Sequence, residues 1–182
     1  IFISEDFYKG KPNPHAWISP KRGMIYVDVI VDSLSELKPS EAESFKNNGQ
    51  IYKNKIAKID KDFSLFINNL EKNNRYLVTC EGAFSYLTND YGLKEAYLWP
   101  VNAESQITPK RMARTISLVK NKNIPSVFCE STVSNESQMV VASETGAKFG
   151  GDLFVDSLSQ DNKSANTYLK MLQHNLTLIK KG

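Results

Sequence analysis

The chain has 182 residues, a formal net charge of +3 and a sequence pI of about 8.7. Hydrophobic residues make up 41% of it and charged residues 24%, which is typical of a globular protein of one domain, or one domain with part of another. Lysines alternate with aspartates and glutamates, so the dense basic patch of a nucleic-acid-binding protein is absent from the sequence. No stretch approaches the ~20 apolar residues of a membrane span.

The chain opens with "IFISEDFYKG", which has neither an initiator methionine nor the charged start of a signal peptide. We therefore expect a processed protein or a fragment. Two cysteines are too few for a disulfide scaffold and do not decide the compartment.

Two helices are predicted in the first seventy residues. Ser19 and Pro20 are typical of a helix start, and apolar residues at steps of three and four continue to about Lys38. Ser40 with Glu43 has the form of a capping box and predicts a second helix of about 30 residues, about 45 Å long. A helix this long suits a spine between two lobes, and Gly49 is its weak point.

From residue 75 onward, strands alternate with helices. The strands are predicted at 75–80, 95–99, 126–130 and 147–155, and the helices at 82–90, 108–121, 134–146 and from Ser164 onward. This alternation predicts an α/β fold with a doubly wound, four-stranded parallel sheet and flanking helices. The long spine helix and the end of a second α/β lobe precede it.

A carboxylate lies at or just beyond the end of each predicted strand, at the carboxyl ends beyond which ligands of open α/β sheets bind. These residues are Glu81, Glu104, Glu130 and Asp156. Carboxylates on one rim repel each other unless a cation or protons lie between them, which indicates a cation site. The alternative is that they cap helices or face solvent.

His15 is one of only two histidines in the chain. As a lone histidine it could simply pack on Trp17. Asn13-Pro14 and Pro20, however, hold its backbone stiffly, and a stiff histidine with separate carboxylates is a common way to build a metal site.

Cys80 and Cys129 each precede a strand-end glutamate on strands that we expect to be neighbours. The spacing of adjacent strands, about 4.8 Å, permits a disulfide. We nevertheless favour buried free thiols, and consider metal ligation by cysteine less favoured than either. The aromatic residues Trp17, Phe84 and Trp99 are expected in the core or in the wall of a cleft.

Three motifs in this order, with a long helix between the first two, carry a resemblance over essentially the whole chain: "NPHAW", "CEGAFSYL" and "LFVDSLS". Together they resemble the manganese/zinc solute-binding proteins of bacterial ABC importers (the ZnuA/TroA-like family). The resemblance implies two α/β lobes joined by a rigid long helix, with the ion in the cleft between them. It implies that His15 ligates through a ring nitrogen and that Glu81 and Asp156 supply carboxylate oxygens.

The role of Glu130 differs between the two arguments. A strand order of 2-1-3-4 places the switch point between the first and third strands, which favours Glu81 with Glu130. The resemblance favours Glu81 with Asp156. We follow the resemblance and treat Glu130 as a supporting group behind the ligands or as a structural group.

The sequence departs from the family pattern at its start. The resemblance implies another histidine ligand on an N-terminal lobe that precedes "NPHAW", and His174, which we expect at the solvated surface of the last helix, does not replace it. We therefore interpret the chain as a C-terminal portion of a longer protein. Residues 1–38 would be the end of the N-terminal lobe with one histidine ligand, 39–72 the linker helix and 73–182 the C-terminal lobe.

The predicted function is capture of Mn²⁺ or Zn²⁺ and delivery to an ABC transporter permease, by a monomer that is not an enzyme. Mn²⁺ is favoured, because two carboxylates form a harder ligand set than imidazoles alone. The implied location is the periplasm, or the outer surface of a Gram-positive cell through a lipid anchor. The alternatives are a metal-dependent hydrolase with Glu81 or Glu130 as general base, or a surface adhesin or interaction protein. No phosphate loop, nucleophile elbow or HExxH motif supports the hydrolase.

Overall fold

The computed structural model describes residues 1–5, 8–102, 107–160 and 164–182. Its elements are α1 (Pro20–Leu37), α2 (Ala42–Asn69), β1 (Tyr76–Glu81), α3 (Ser85–Tyr91), β2 (Lys94–Trp99), α4 (Pro109–Lys122), β3 (Ser126–Glu130), α5 (Glu136–Thr145), β4 (Lys148–Leu153) and α6 (Tyr168–Lys181). Short 3-10 turns cover Ala16–Ile18, Pro39–Glu41 and Lys72–Asn74. Among these described helices, none is long and apolar enough to cross a membrane.

Helix α1 begins at Pro20, as the sequence predicts, but the Ser19 side chain does not cap it. The Ser19 hydroxyl instead donates a hydrogen bond to Asp90 Oδ2 at 2.7 Å. Helix α1 then packs along α2, and a Cβ atom on Gly49 would overlap a methyl group of Val31. The glycine that weakens α2 by itself is therefore required for the close approach of the two helices.

Helix α2 confirms the predicted long helix, with 28 residues and a length of about 42 Å. The predicted capping box at Ser40 is wrong. Pro39–Glu41 forms a 3-10 turn, so Glu41 takes the cap position and the α-helix begins at Ala42 without a side-chain cap. The buried face of α2 packs into the core through Ile56, Ile59, Phe63 and Ile67.

Several ends of the later elements differ from the prediction; helix α3, for example, begins at Ser85 rather than at residue 82. Helix α6 starts at Tyr168 rather than at Ser164, because Thr167 Oγ1 accepts the Lys170 amide as its cap. Strand β4 ends at Leu153, so the residues up to Asp156 belong to a loop. The other elements follow the predicted order.

The fold class is confirmed as α/β with parallel strands. Within the described residues, hydrogen-bonded ladders join the strands in two pairs, β1 with β2 and β3 with β4. Strands β1 and β3 nevertheless lie side by side, since the Cα atoms of Cys80 and Cys129 are 4.8 Å apart. The order across the sheet is therefore β2-β1-β3-β4, as expected. We call the boundary between β1 and β3 the central seam.

Side chains replace the backbone ladder along the central seam. Gln138 of α5 donates through Nε2 to the carbonyls of both Val78 and Phe128, at 3.3 and 2.9 Å. At the carboxyl end of the seam, Glu130 Oε2 accepts the backbone N–H of Glu81 at 3.1 Å. Three backbone groups at this boundary therefore bond to side chains, and no ladder between β1 and β3 is present in the described part of the expected four-stranded sheet.

A disulfide between Cys80 and Cys129 crosses the same seam, so the prediction of free thiols is wrong. Side chains at matching positions of neighbouring parallel strands point the same way, and at this Cα separation that brings the two sulfur atoms within bonding reach. The spacing of adjacent strands, which permitted a disulfide in the sequence analysis, therefore predicted the bond correctly.

The two faces of the sheet bury separate clusters. One face packs against α2, α3 and α6 through residues that include Leu77, Phe128 and Leu153. The other packs against α4 and α5 through Val78, Val127 and both cysteines. Phe84 and Trp99 are fully buried, as predicted. The carboxyl ends of the strands remain as the edge on which a site can form.

Candidate metal centre

His15 lies just before the 3-10 turn Ala16–Ile18 and is only 2% exposed. The Asn13 side chain holds it in place: Asn13 Oδ1 accepts the backbone N–H of His15 at 3.0 Å and lies 2.9 Å from His15 Nδ1. Trp17 packs edge-on against the imidazole, with ring centroids 5.3 Å apart. The imidazole is therefore held before any ion arrives.

Trp17 also links this turn to the loop after β4. Its indole Nε1 donates to the carbonyl of Val155 at 3.2 Å, and its own carbonyl accepts the hydroxyl of Tyr168 at 2.7 Å. Asp156 directly follows Val155, and its Oδ1 lies 3.6 Å from His15 Nε2. The Asp156 side chain keeps 46% of its surface exposed. The structure thus brings His15 and Asp156, which are far apart in the chain, close together.

The protonation of the His15 ring follows from its neighbours. Asn13 Nδ2 donates to the Gly82 carbonyl at 2.8 Å, so the oxygen of the same amide must face His15. Because that oxygen only accepts, Nδ1 carries the ring proton, and Nε2 of the neutral ring presents a lone pair to Asp156. Burial lowers the pKa of His15 by more than the Asp156 carboxylate raises it, which favours the neutral ring.

Glu81 ends β1 and is 5% exposed. Its Oε1 accepts the backbone N–H of Asn102 at 2.9 Å, in a turn where Asn102 has a positive φ of 54°. The ligand atoms of His15, Glu81 and Asp156 do not all lie within 4.8 Å of one another. The structure therefore brings His15 and Asp156 together and directs one Glu81 oxygen to the Asn102 amide.

Glu130 stands behind Glu81 and is 1% exposed. Burial raises the pKa of Glu130 well above its ordinary value; the Glu81 amide opposes this rise and the Glu81 charge adds to it. Its Oε1 is buried without a hydrogen-bond partner among the described residues. Glu130 thus contacts the backbone of Glu81. The sequence analysis treated Glu130 as a supporting or structural group.

Two further residues considered from the sequence lie elsewhere. Glu104 falls outside the described residues. His174 lies partly buried at the surface of α6: its Nε2 is 3.3 Å from the Asp152 carbonyl and its ring packs on Phe154. Asn175, the next residue in α6, is buried, so His174 lies at the border between the buried and the exposed face of the helix.

The ligand atoms of Cys80, Cys129 and Glu130 do lie within 4.8 Å of one another. The sulfur atoms are joined to each other, however, and metal ligation requires a thiolate. This cluster in the described part of the chain is therefore not a metal site in its oxidised form.

Sequence reasoning missed the polar residues that hold the ligands, above all Asn13 and Asn102. Asn13 stood inside the quoted motif, and an asparagine two residues before a histidine is the available signal, because an Asn side chain readily accepts the amide two positions on. Nothing local to Asn102 marks its contact with Glu81.

Comparison with known proteins places the chain in a family. Residues 4–182 match the family model described as "Zinc-uptake complex component A periplasmic". The chain is 43% identical over 180 residues to the iron-binding protein YfeA of Yersinia pestis, covering 99% of this chain and 58% of that protein. It is 32% identical over 182 residues to the manganese ABC transporter substrate-binding lipoprotein PsaA of Streptococcus anginosus, covering 100% of this chain and 59% of the relative.

Solved structures of periplasmic metal-binding proteins are also similar to this chain. A Mn-bound periplasmic metal-binding protein from Candidatus Liberibacter asiaticus matches with a TM-score of 0.90 and 39% identity, over 100% of this chain and 66% of that one. The periplasmic zinc-binding protein TroA from Treponema pallidum matches with a TM-score of 0.83 and 25% identity, over 93% and 63%. The chain spans less than two thirds of the length of the curated relatives named here. It belongs to the zinc-uptake component A (ZnuA) family of periplasmic metal-binding proteins.

Proposed function

We propose that this chain is the C-terminal portion of a protein that captures Mn²⁺ or Zn²⁺ outside the inner membrane and delivers it to an ABC transporter permease. One observation carries the proposal: His15 Nε2 lies 3.6 Å from Asp156 Oδ1, and the Asn13 contact at Nδ1 assigns the proton of the neutral ring to the other nitrogen. Two acceptors at this distance repel each other unless a cation lies between them. Half of this separation is shorter than a metal–ligand bond of about 2.1 Å, so one ion can contact both atoms.

Glu81 completes the proposed ligand set by turning a carboxylate oxygen toward the ion, and Glu130 supports it through the Glu81 amide. A fourth ligand comes from residues outside this chain. Mn²⁺ is favoured by the oxygen donors, whereas intrinsic affinity favours Zn²⁺. One relative is named an iron-binding protein, so Fe²⁺ belongs in the same test.

The division into an N-terminal lobe end (1–38), a linker helix (39–72) and a C-terminal lobe (73–182) is part of the proposal. Its support is the surface of α1, where Ile25, Val29, Ile30 and Leu37 are each more than half exposed. An apolar face of this kind is usually covered by other protein, and the longer relatives have the additional length to cover it.

The test is metal titration of the full-length protein, meaning the complete polypeptide in which this chain occurs. His15→Ala and Asp156→Ala should each weaken Mn²⁺ and Zn²⁺ binding by more than about 100-fold, because each removes a direct ligand, while circular dichroism stays unchanged. His174→Ala is the matched control and should leave the affinity unaltered. Tight binding that survives both ligand substitutions contradicts the proposal.

Two further measurements separate the alternatives. Anomalous scattering at the manganese, iron and zinc edges identifies the ion in protein purified without added metal. Metal-dependent hydrolysis of esters or phosphoesters by the loaded protein would contradict a carrier, whose metal has no open position for water.

A further inference from the structure

The loop that carries Asp156 lies beyond the backbone ladder of β4. The strand ends at Leu153, whose carbonyl accepts the Ser131 amide at 2.9 Å. Asp156 follows in the loop, with 46% of its side chain exposed. The backbone that presents this carboxylate to the proposed site therefore depends on other contacts.

Asn175 of α6 holds the first residue of this loop. It is only 1% exposed, and the other buried residues of α6 are apolar. Asn175 Oδ1 accepts the Phe154 N–H at 2.9 Å, and Asn175 Nδ2 donates to the Phe154 carbonyl at 2.7 Å. An opposing residue of a neighbouring strand would bond to the same two groups, so the asparagine side chain continues the pairing of β4 beyond its end.

Trp17 holds the next residue of the loop. Its indole Nε1 donates to the Val155 carbonyl at 3.2 Å, and its ring packs edge-on against the His15 imidazole. One rigid side chain therefore contacts a proposed ligand and also the residue directly before the other proposed ligand, Asp156. The indole thus determines how far apart the two backbone segments lie.

Helix α6 holds Trp17 as well. The Tyr168 hydroxyl donates to the Trp17 carbonyl at 2.7 Å, and a Cβ atom on Gly23 would overlap this hydroxyl, so Tyr168 lies directly against the start of α1. Tyr168 and Asn175 lie about two helical turns apart and therefore on one face of α6. One helix thus holds both segments that carry the proposed ligands.

We propose that Trp17 and Asn175 are positioning residues for the metal centre: they hold the backbone before Asp156 so that its carboxylate faces His15 in the metal-free protein. The proposal rests on the function proposed above. It deepens that function by naming residues that touch no ion and yet set the separation of two ligands. Ligands held in advance lose little conformational freedom when the ion binds, so the contribution of the two residues is to affinity.

The simpler role for both residues is to fill the core and to satisfy the backbone of the loop. Such a role changes unfolding but leaves the metal affinity of the folded protein unaltered. The positioning role lowers the affinity of protein that is fully folded, and its effect depends on the presence of the Asp156 carboxylate.

Two variants remove the contacts to the loop. Trp17→Phe removes the indole donor to Val155 and keeps an aromatic ring against His15. Asn175→Leu removes both hydrogen bonds to Phe154 at similar side-chain volume.

Two tyrosine variants form a matched pair. Tyr168→Phe removes the hydroxyl that holds the Trp17 carbonyl. Tyr91→Phe is its control, because the Tyr91 hydroxyl also donates over 2.7 Å, to Asp60, and joins α3 to α2 instead of holding the Asp156 loop. The two variants make the same chemical change in different places.

The first readout is the affinity of the full-length protein for Mn²⁺ and Zn²⁺, titrated where urea unfolding shows every variant to be folded. Trp17→Phe and Asn175→Leu should each weaken both ions by about tenfold, the lower end of the range for groups that orient metal ligands. Tyr168→Phe should weaken them by about threefold and Tyr91→Phe by less than about 1.5-fold, since only Tyr168 holds the Trp17 segment.

The second readout tests the contacts without an ion. Hydrogen exchange of the Phe154 amide and of the Trp17 indole N–H is followed by NMR in the metal-free protein. Both protons should be protected in the wild type. Asn175→Leu should make the Phe154 amide exchange faster, and Tyr91→Phe should change neither proton.

Trp17→Phe is also combined with Asp156→Ala, and Zn²⁺ is used because its higher intrinsic affinity keeps the weakened binding measurable. Once the carboxylate is removed its position no longer matters, so Trp17→Phe should then add less than about a twofold loss. A further loss of about tenfold would mean that Trp17 acts through His15 alone, and it overturns the proposal. Unchanged affinity in both Trp17→Phe and Asn175→Leu overturns it as well, as does rapid exchange of both protons in the wild type.

The failure of the proposed function gives a different result. If the wild type binds neither Mn²⁺ nor Zn²⁺, the carrier function fails, and the exchange of the two protons then decides alone whether Trp17 and Asn175 hold the loop. If Asn175→Leu lowers the yield of folded protein, Trp17→Phe and Tyr168→Phe carry the same comparison.

Discussion

The two kinds of strand boundary in this sheet are held by different forces. The outer boundaries, β1 with β2 and β3 with β4, are backbone ladders in parallel register. The central seam depends on the Gln138 amide, the Glu130 carboxylate and the Cys80–Cys129 disulfide. A ladder is a property of the backbone and tolerates most substitutions. The seam depends on a few specific side chains, so a single substitution can open it.

The position of the seam explains why this matters for the proposed site. The disulfide joins the residues immediately before Glu81 and Glu130, and the Glu130 carboxylate accepts the Glu81 amide. The backbone of one proposed ligand is therefore fixed by side-chain and covalent contacts as well as by its ladder to β2. Substitutions in the seam and in the outer ladders should separate the two contributions.

The largest effect is expected when the covalent link is removed. Cys80→Ala with Cys129→Ala should lower the free energy of unfolding by about 4 kcal/mol, because the bridge spans 49 residues and a loop of this length restricts the unfolded chain strongly. Urea unfolding of the double variant, compared with wild type under oxidising and reducing conditions, measures it. Reduced wild type should behave like the double variant; a loss below about 1 kcal/mol in both would show that the backbone already holds the seam.

The next effect is expected at Gln138, which is fully buried in α5. Gln138→Leu leaves the carbonyls of Val78 and Phe128 without their shared donor and should cost about 2–3 kcal/mol. Amide hydrogen exchange should become faster in β1 and β3 than in β2 and β4.

Gln173→Leu is the matched control for Gln138, because this exposed glutamine bonds to Thr177 on its own helix. It should change stability by less than about 0.5 kcal/mol. Equal losses for the two variants, or uniform exchange across all four strands, would contradict a seam held by side chains.

The order of elements was predictable because it depends on local patterns. Alternating strand and helix periods, the Thr108-Pro109 start of α4 and the apolar face of α6 are all visible within short windows of sequence, and the structure confirms them. The seam was not predictable in the same way. The contact of Gln138 with Val78 joins residues 60 positions apart, and no local period encodes it.

In the candidate site, too, the residues within local motifs were predictable and the contacts between distant loops were not. His15 with Asp156 was available from the family motifs, and the structure brings these two side chains together. The contacts that orient them, from Asn13 to Gly82 and from Glu81 to Asn102, depend on how loops far apart in sequence meet. The disulfide was within reach of the strand-spacing argument, since two cysteines at matching positions of adjacent strands already have the separation that a bridge needs.

The smallest effect is expected in the outer ladder, at Glu95, where a side chain titrates while the backbone stays paired with Leu77. Burial raises the pKa of Glu95 to about 7, against the opposing hydrogen bonds from Ser85 and Phe84. A carboxyl group whose folded pKa lies above its unfolded value binds its proton more tightly in the folded state. Its contribution to stability is therefore present below about pH 4.5 and is lost as the pH rises through about 7.

The wild type should thus lose unfolding free energy relative to Glu95→Gln between about pH 5 and pH 8, by on the order of 1 kcal/mol, since solvent screens part of the burial effect. Urea unfolding of both proteins at several pH values isolates this difference, because every other titrating group is shared. A constant difference across the range would mean that Glu95 has an ordinary pKa. A difference that grows in the opposite direction would mean that the ionised carboxylate is the form stabilised by Ser85 and Phe84, and that hydrogen bonding outweighs burial at this boundary.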